Sequence, residues 1–453
     1  MVTDFKLHST LTNQKEEFRP HTPGKINMYV CGVTVYDHCH IGHARAYVVF
    51  DTIRKILEHF GYQVNYVQNF TDIDDKIIKR AQEEKIDFHQ VTQKYIDAYF
   101  EFSDSLGIKR ANVYPRATEQ IPEMIVFVQK LLDQGMAYQS SGDVYFNVSG
   151  FKDYGKLSKR HLEDLKAGAR VEVNVHKKDP LDFVLWKAAK PGEPVWEAPF
   201  GAGRPGWHLE CSVMSEKFCG LPIDIHGGGR DLIFPHHENE IAQSEACNHV
   251  PFAKYWLHNG FVNIKKEKMS KSLGNMVWAK DLIAKYSAQA LRLFLLSTHY
   301  AHPIDFDETE IQNYQVALKT LLKPFAGTRL DVAVEGFSDL VVKVEASLAD
   351  DFNTAKAIGH LFEMSALLQK QGSAAQLAQF KTFLNLLGLF QEVTDQQTLE
   401  VPTEIQDLLN QRQSAKKNKD FKMADELRNR IAALGFAIED SPQGPKLKKL
   451  AVG

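Results

Sequence analysis

Apolar positions along the first seventy residues follow two different periods. An unbroken run from Ile26 to Val30 reads as a strand buried on both faces, and Tyr47, Phe50, Ile53, Leu57 and Phe60 then recur at helical spacing over Ala44 to Phe60. Gly61 stops that helix, and Tyr62 to Phe70 alternates as a second strand, so the opening predicts a βαβ unit with parallel strands. Thr71 or Asp72 is placed to cap a helix running through Arg80, which accounts for the carboxylates of Asp72, Asp74 and Asp75. Helical spacing returns over 91–107 and 121–134, and Met136 to Val148 predicts a hairpin turning at Ser141-Gly142.

The alternation then lapses. From 112 to 195 the chain reads as an insertion, and the α/β pattern resumes with Gly203 to Cys211 and a strand from Pro222 to Ile225 that runs into His226-Gly227-Gly228-Gly229. A helix begins near Pro235, and a further strand, Gly260 to Lys265, leads to a loop from Lys266 to Asn275. Helices are predicted over 287–299, 308–323, 339–370 and 376–390, and 402–453 holds two short charged helices, a strand at Phe436 to Ile438 and a lysine-bearing tail. The fold class is α/β: a split Rossmann-type parallel sheet (1–111 and 196–265) with an insertion (112–195), a loop and stem-contact region (266–305), a helical bundle (306–398) and a small C-terminal mixed domain (399–453).

Bulk composition narrows the class without choosing a function. At 453 residues the chain exceeds one hydrophobic core, and 44% hydrophobic with 25% charged residues excludes disorder. A net charge of −3 neither requires nor forbids a nucleic-acid partner. No run of eighteen apolar residues occurs, the first residues are polar, and the five cysteines form no Cys-x-x-Cys pair, so a cytoplasmic protein with no membrane partner is expected.

Candidate chemistry concentrates in three places. Cys31 to His43 packs two thiols, three imidazoles and two glycines into a strand-to-helix crossover, where a helix N-terminus offers free N–H groups to phosphate. His236 and Glu240 are four apart and share a helix face that suits two metal ligands, whereas His237 points elsewhere. The lysines of 266–271 make a loop able to close over a polyphosphate. Read alone, the first stretch is equally a loop with buried histidines, and the lysine loop equally a solvated surface.

Two short segments change this balance. His40-Ile41-Gly42-His43 and Lys268-Met269-Ser270-Lys271-Ser272 match the two signature motifs of class I aminoacyl-tRNA synthetases. With Tyr29 to Asp37, Thr71 to Ile77, Gly206 to Cys211 and Phe234 to Glu240, the chain closely resembles the cysteinyl-tRNA synthetases from about residue 20 to 444. The resemblance implies one Zn2+ per chain held by Cys31, Cys211, His236 and Glu240, four acceptable zinc donors that only folding brings together. It implies L-cysteine against Cys31, Gly32, Thr71, Trp207 and His236, and ATP with Mg2+ against His40, Gly42, His43, Asp231 and Lys271. His40, His43, Lys268 and Lys271 take the catalytic roles in forming cysteinyl-adenylate, from which cysteine passes to the terminal ribose of tRNA(Cys). A monomer is implied, with Asp351 to Thr354 and Lys419 to Asp425 in the tRNA-contacting parts and Cys39 left to packing.

A metal answers a specific need, because cysteine and serine differ by one atom. Shape alone discriminates by about 1–3 kcal/mol, while faithful selection near 10⁴-fold needs roughly 5.5 kcal/mol. Zinc prefers thiolate to alcohol, which makes a separate editing site unnecessary. Arg412, Lys416, Lys417, Lys419 and Arg428 are either phosphate contacts or a solvated helix face. Two departures from the family pattern stand out: Pro445 to Lys449 replaces a tryptophan after Gly444, and Ala198-Pro199-Phe200-Gly201 keeps volume and aromatic character where serine and tryptophan are usual. The rival readings are a ligase joining cysteine to an amino sugar and a zinc hydrolase built on Pro235-His236-His237-Glu238.

Overall fold

The computed structural model describes residues 5–160, 176–264, 267–268, 275–327, 332–390, 403–418, 420–434, 436–441 and 444–449. The chain divides into two compact units, Met1–Phe390 and Gln391–Gly453.

In the first unit, β1 (Lys6–Ser9) and β2 (Gln14–Glu17) form an N-terminal hairpin, and β3 (Lys25–Thr34), α1 (Ile41–His59) and β4 (Gln63–Thr71) make the expected βαβ unit with β3 and β4 parallel. Successive side chains of a strand point to opposite faces. Accordingly Met28 and Val30 join the core that α1 packs on, while Tyr29 and Cys31 join the core on the other face. The helix after β4 starts later than Thr71 or Asp72 would set it. α2 (Asp75–Glu84) is capped by Asp74, and Asp72 instead accepts hydrogen bonds from the backbone and hydroxyl of Thr118.

α3 (Phe88–Ser105) and α4 (Ile121–Asp133) precede an antiparallel sheet of β5 (Ala137–Ser140), β6 (Asp143–Phe146), β7 (Phe183–Ala188) and β8 (Gly203–Pro205), so the insertion's sheet extends past residue 195. Phe200 packs edge-on to Trp186 at 5.4 Å, keeping the aromatic contact expected of that segment. α5 (Trp207–Cys219), β9 (Ile223–Gly229), α6 (Glu238–Asn248) and β10 (Ala253–Asn259) then return to the parallel sheet, whose order is β10-β9-β3-β4.

Two strands differ from expectation here. β9 continues to Gly229, so His226 and its glycines lie within the sheet; a Cβ on Gly227 would come 2.4 Å from the Phe50 ring. The strand read at Gly260 to Lys265 is β11 (Val262–Ile264), which pairs with β12 (Glu267–Lys268) and β13 (Ile304–Phe306) in a separate sheet. The fourth parallel strand is β10, where polar Lys254, His258 and Asn259 masked an apolar centre of Tyr255, Trp256 and Leu257.

Helices α7 (Ala279–Lys285), α8 (Ala288–Leu296) and α9 (Glu308–Leu321) follow. The periodicity of 339–370 predicts one helix, and there are two: α10 (Phe337–Ala349) and α11 (Thr354–Leu368), then α12 (Ala374–Leu386). The break has Asp351 and Phe352 at φ of 59° and 53°, a conformation that side chains resist unless neighbours hold it. Here the Asp351 carboxylate accepts from the His8 N–H (2.8 Å) and the Tyr300 hydroxyl (3.0 Å), and Phe352 packs edge-on to Phe5. A buried ion pair, Arg292 to Asp51 at 2.8 Å, ties α8 to α1, and the same guanidinium donates to the carbonyls of Leu106 and Leu387.

In the second unit α13 (Thr403–Lys417) and α14 (Phe421–Ala433) pack with β14 (Phe436–Ser441), which pairs antiparallel with β15 (Gly444–Lys449). The lysine-bearing tail is therefore a strand. Arg412 is buried, which removes it from the expected phosphate contacts; Lys416 and Arg428 are exposed, and the side chains of Lys417 and Lys419 lie outside the described residues. Among the described residues no helix is long and apolar enough to cross a membrane.

Removing one partner of a buried pair leaves the other charge uncompensated. Arg292→Met is expected to cost about 3 kcal/mol or more, read as a lower urea midpoint by tryptophan fluorescence; an unchanged midpoint would show that the pair does not hold α8 to α1.

Candidate active site

β3 is irregular between Val30 and Val33, where its register against β4 shifts, and Cys31 and Gly32 occupy the irregularity. The Gly32 N–H donates to the Asn69 side-chain oxygen (2.8 Å), and a Cβ there would lie 1.6 Å from the Asn69 carbonyl oxygen. Only glycine allows that approach. β3 is flanked by β4 on one side and β9 on the other, so the chain leaves the sheet in opposite directions at its carboxyl edge and opens a crevice there.

At the mouth of α1, His40 is the N-cap. Its ring accepts the His43 N–H and the His43 ring accepts the His40 N–H, both at 3.3 Å, with the rings stacked at 3.7 Å. The signature imidazoles thus form a capping box, and the helix presents its N-terminal dipole to the crevice. A cavity of about 540 Å³ opens there, lined by Cys31, Gly32, His40, Gly42, His43, Trp207 and Asp231. Its size is that of a nucleotide-sized ligand site.

Cys31 carries the cleft into a buried polar cluster. Its Sγ is 3.7 Å from Cys211 Sγ and 3.7 Å from Glu240 Oε1, and His236 Nε2 is 2.9 Å from the same carboxylate oxygen. Cys31, Cys211, His236 and Glu240, from β3, α5 and the turn into α6, offer ligand atoms all within 4.8 Å of one another. The sulfur separation is close to the edge of about 3.8 Å that a tetrahedron with bonds of about 2.3 Å requires. A second set overlaps it, Cys31, His226, His237 and Glu240.

The hydrogen-bond surroundings favour the first set. Its His236 has its remaining nitrogen, Nδ1, 2.9 Å from His208 Nδ1, the outer contact that orients a metal-binding ring; in the second set His237 has such a contact with His258, but the buried Nδ1 of His226 has no partner among the described residues. Without a metal the charges interlock. Burial disfavours an ionised Glu240, but His226 and His236 override it and hold the carboxyl well below its usual range. Burial likewise opposes a charged His236, and Glu240 raises it nonetheless. The Cys31 thiol, pushed up by burial, donates to Cys211, which is held below the ordinary thiol range. Both rings bordering the cluster are neutral: burial and His236 push His208 down to about 3, and burial and His226 push His258 down to about 3.

The other residues read from sequence fall as follows. The Trp207 ring stacks on His236 at 4.0 Å and remains 38% exposed, forming a wall between cluster and cleft. Thr71 is buried and donates to Glu210 Oε2 (2.8 Å), one layer behind the cleft lining. Cys39 is buried at the foot of the crossover, as packing requires. Lys268 has its backbone in β12, while its side chain and all of Lys271 lie outside the described residues.

Sequence reasoning sent His237 away from the site, but its Nε2 is 3.3 Å from Cys31 Sγ; an extended Phe234 (φ −138°, ψ 131°) kinks the chain just ahead of it. Asn69 and His208 were missed as well. Asn69 is two residues before Thr71, the same face in strand alternation, and His208 lies one turn before the Cys211 face.

Comparison with known proteins adds to this geometry. Residues 17–316 match the family described as tRNA synthetases class I (C) catalytic domain, 343–391 a DALR domain, and 398–445 the cysteinyl-tRNA ligase anticodon binding domain. The cysteine–tRNA ligase of Caldicellulosiruptor saccharolyticus is 46% identical, with 98% of this chain and all of the relative covered. That of Geobacillus sp. strain WCH70 is 48% identical over 99% of this chain and all of the relative. In fold, the chain is similar to Mycobacterium tuberculosis methionyl-tRNA synthetase in complex with methionyl-adenylate (TM-score 0.57, 16% identity, 80% of this chain and 88% of that one). It is similar also to an Agrobacterium radiobacter LeuRS in complex with tRNA and LeuAMS (TM-score 0.60, 12% identity, 82% and 84%).

The two donor sets separate experimentally. The wild-type chain is expected to retain a divalent metal through gel filtration, measured by atomic emission, Cys211→Ser and His236→Gln to lose it, and His226→Gln to keep it. The reverse pattern would assign the second set.

Proposed function

The chain belongs to the cysteine–tRNA ligase family of class I aminoacyl-tRNA synthetases, and from that premise we propose how its cleft performs the ligation. The reaction is activation of L-cysteine by ATP and transfer of cysteine to tRNA(Cys). The observation that carries the proposed mechanism is the placement of Cys31, which belongs both to the buried donor cluster and to the lining of the cleft whose mouth is the His40/His43 helix cap.

Cys31, Cys211, His236 and Glu240 would hold a zinc ion, a donor set with two soft sulfurs that suits zinc better than a hard cation. Zinc in that position supplies a preference for a substrate thiolate over an alcohol. The chain's own residues do the rest. Trp207, stacked on His236, walls the pocket against bulkier amino acids, and Gly32, with no side chain, lets β3 close on the Asn69 backbone so that Cys31 reaches the pocket.

The cysteine carboxylate attacks the α-phosphorus of ATP, bound with Mg2+, and pyrophosphate leaves. Charge that builds on the phosphate oxygens meets His40, His43 and the positive end of the α1 dipole, on the same cleft. Asp231 takes the nucleoside side, and Lys268 and Lys271 close over the phosphates, with Lys271 making the transition-state contact. In the second step the terminal ribose hydroxyl of the tRNA attacks the adenylate carbonyl. An anticodon-binding segment at 398–445 favours tRNA over an amino sugar as the acceptor. Five free cysteines suit a reducing cytoplasm, and one chain carries every residue invoked, as a monomer needs.

Cysteine-dependent ATP–pyrophosphate exchange tests this reading. Exchange is expected with cysteine, to fall by about 10⁴-fold with serine, and to be lost on chelation and restored by zinc; equal rates with serine would defeat the metal-selection reading. Lys271→Ala is expected to lower the adenylation rate by about 10²-fold or more while leaving cysteine binding intact. Equal loss of both would point to misfolding instead.

A further inference from the structure

A line of hydrogen bonds runs from Cys31, which lines the cleft, to Thr10, which lines a second cavity of about 430 Å³. Cys31 Sγ is 3.3 Å from His237 Nε2, His237 Nδ1 is 2.8 Å from His258 Nε2, and His258 Nδ1 is 2.8 Å from the Thr10 hydroxyl. All three inner residues are buried. A neutral imidazole has one N–H and one lone pair, so each ring hands on the polarity that it receives.

Two polarities exist. In the inward one the Thr10 O–H donates to His258 Nδ1, the His258 Nε2–H donates to His237 Nδ1, and the His237 Nε2–H donates to the Cys31 sulfur. In the outward one His237 turns a lone pair toward Cys31 and becomes the metal ligand of the second donor set. The Thr10 hydroxyl has one protein hydrogen-bond partner among the described residues, His258, and a ligated sulfur at the other end is an acceptor. A hydroxyl serves either direction, so the ligated sulfur, which can only accept, decides for the inward one, and the Thr10 O–H then satisfies the His258 Nδ1 lone pair at the far end. The hairpin fixes that donor in place: the Thr10 N–H donates to the Trp256 carbonyl (2.9 Å), and the Trp256 N–H to the Ser9 hydroxyl (3.2 Å).

We propose that Thr10, on the N-terminal hairpin ahead of the matched catalytic segment, is a positioning residue that holds the inward polarity by donating to His258, keeping His237 a hydrogen-bond donor to Cys31 and leaving the metal to Cys31, Cys211, His236 and Glu240. This deepens the metal-site reading above and rests on it. Outer partners of this kind typically change metal affinity by 10–100-fold when removed. Thr10 touches neither substrate nor ligand, so its effect passes through two rings.

The test uses the full-length chain loaded with cobalt(II), whose thiolate charge-transfer absorption reports the electron donation of Cys31. Thr10→Val, which keeps the shape and removes the donor, is expected to shift that band and to speed metal loss to a chelator by about tenfold. Thr10→Ser is expected to restore both, which a merely structural role in the hairpin would not produce. His258→Gln supplies an amide N–H to His237 without needing Thr10, and its retention is expected near wild type. A Thr10→Val band and retention equal to wild type, a failure of Thr10→Ser to restore them, or a tenfold loss in His258→Gln would each overturn the inference. A wild-type chain that retains no metal would overturn the metal reading itself, and this inference with it.

Discussion

Glu240 is fully buried, ionised and set beside two sulfurs, and the rest of the site is arranged so that this charge is tolerable. An isolated carboxylate in such surroundings would be neutral, since desolvation disfavours its charged form. Here imidazoles from two directions, His226 in the sheet and His236 four residues earlier, meet its two oxygens. A cation at the same point would satisfy the carboxylate and the thiols together, in keeping with the proposed metal site. Cys31 reaches that cluster from an irregular stretch of β3, where Gly32 has no side chain to hold the strand off the Asn69 backbone.

The signature helix has a double constraint of a different kind. His40 and His43 close the first turn of α1 on each other, so the residues facing the cleft are the ones that keep the helix end formed. Preorganised donors gain their catalytic effect from not having to move as charge develops. A cap built from the donors themselves provides that rigidity locally, and the sheet supplies it at longer range.

Much of this was legible in the sequence because short-range physics governs it. The βαβ opening, the crossover at Cys31 to His43, the shared face of His236 and Glu240 and most helices follow from apolar periodicity and cap chemistry, which act within a few residues. What escaped depends on distant partners. β10 was hidden because His258 and Asn259 are polar yet buried, and His258 has its partners in His237 and Thr10. The break at Asp351 and Phe352 interrupts a helical pattern for the sake of His8 and Tyr300, hundreds and tens of residues away respectively. His237 follows a kink at the extended Phe234 that spacing rules for a regular helix do not anticipate.

The N-terminal hairpin bears on the order in which the molecule can be completed. Ser9 and His8 find partners 247 and 343 residues later, in Trp256 and Asp351. Chains emerge from the ribosome N-terminus first and their domains fold as they appear, but contacts of such long sequence separation must wait for the later segment. The hairpin is therefore held from both sides only after the helices that follow the sheet have been made, and a ribosome stalled between residues 256 and 351 would expose a β1 anchored to β10 alone.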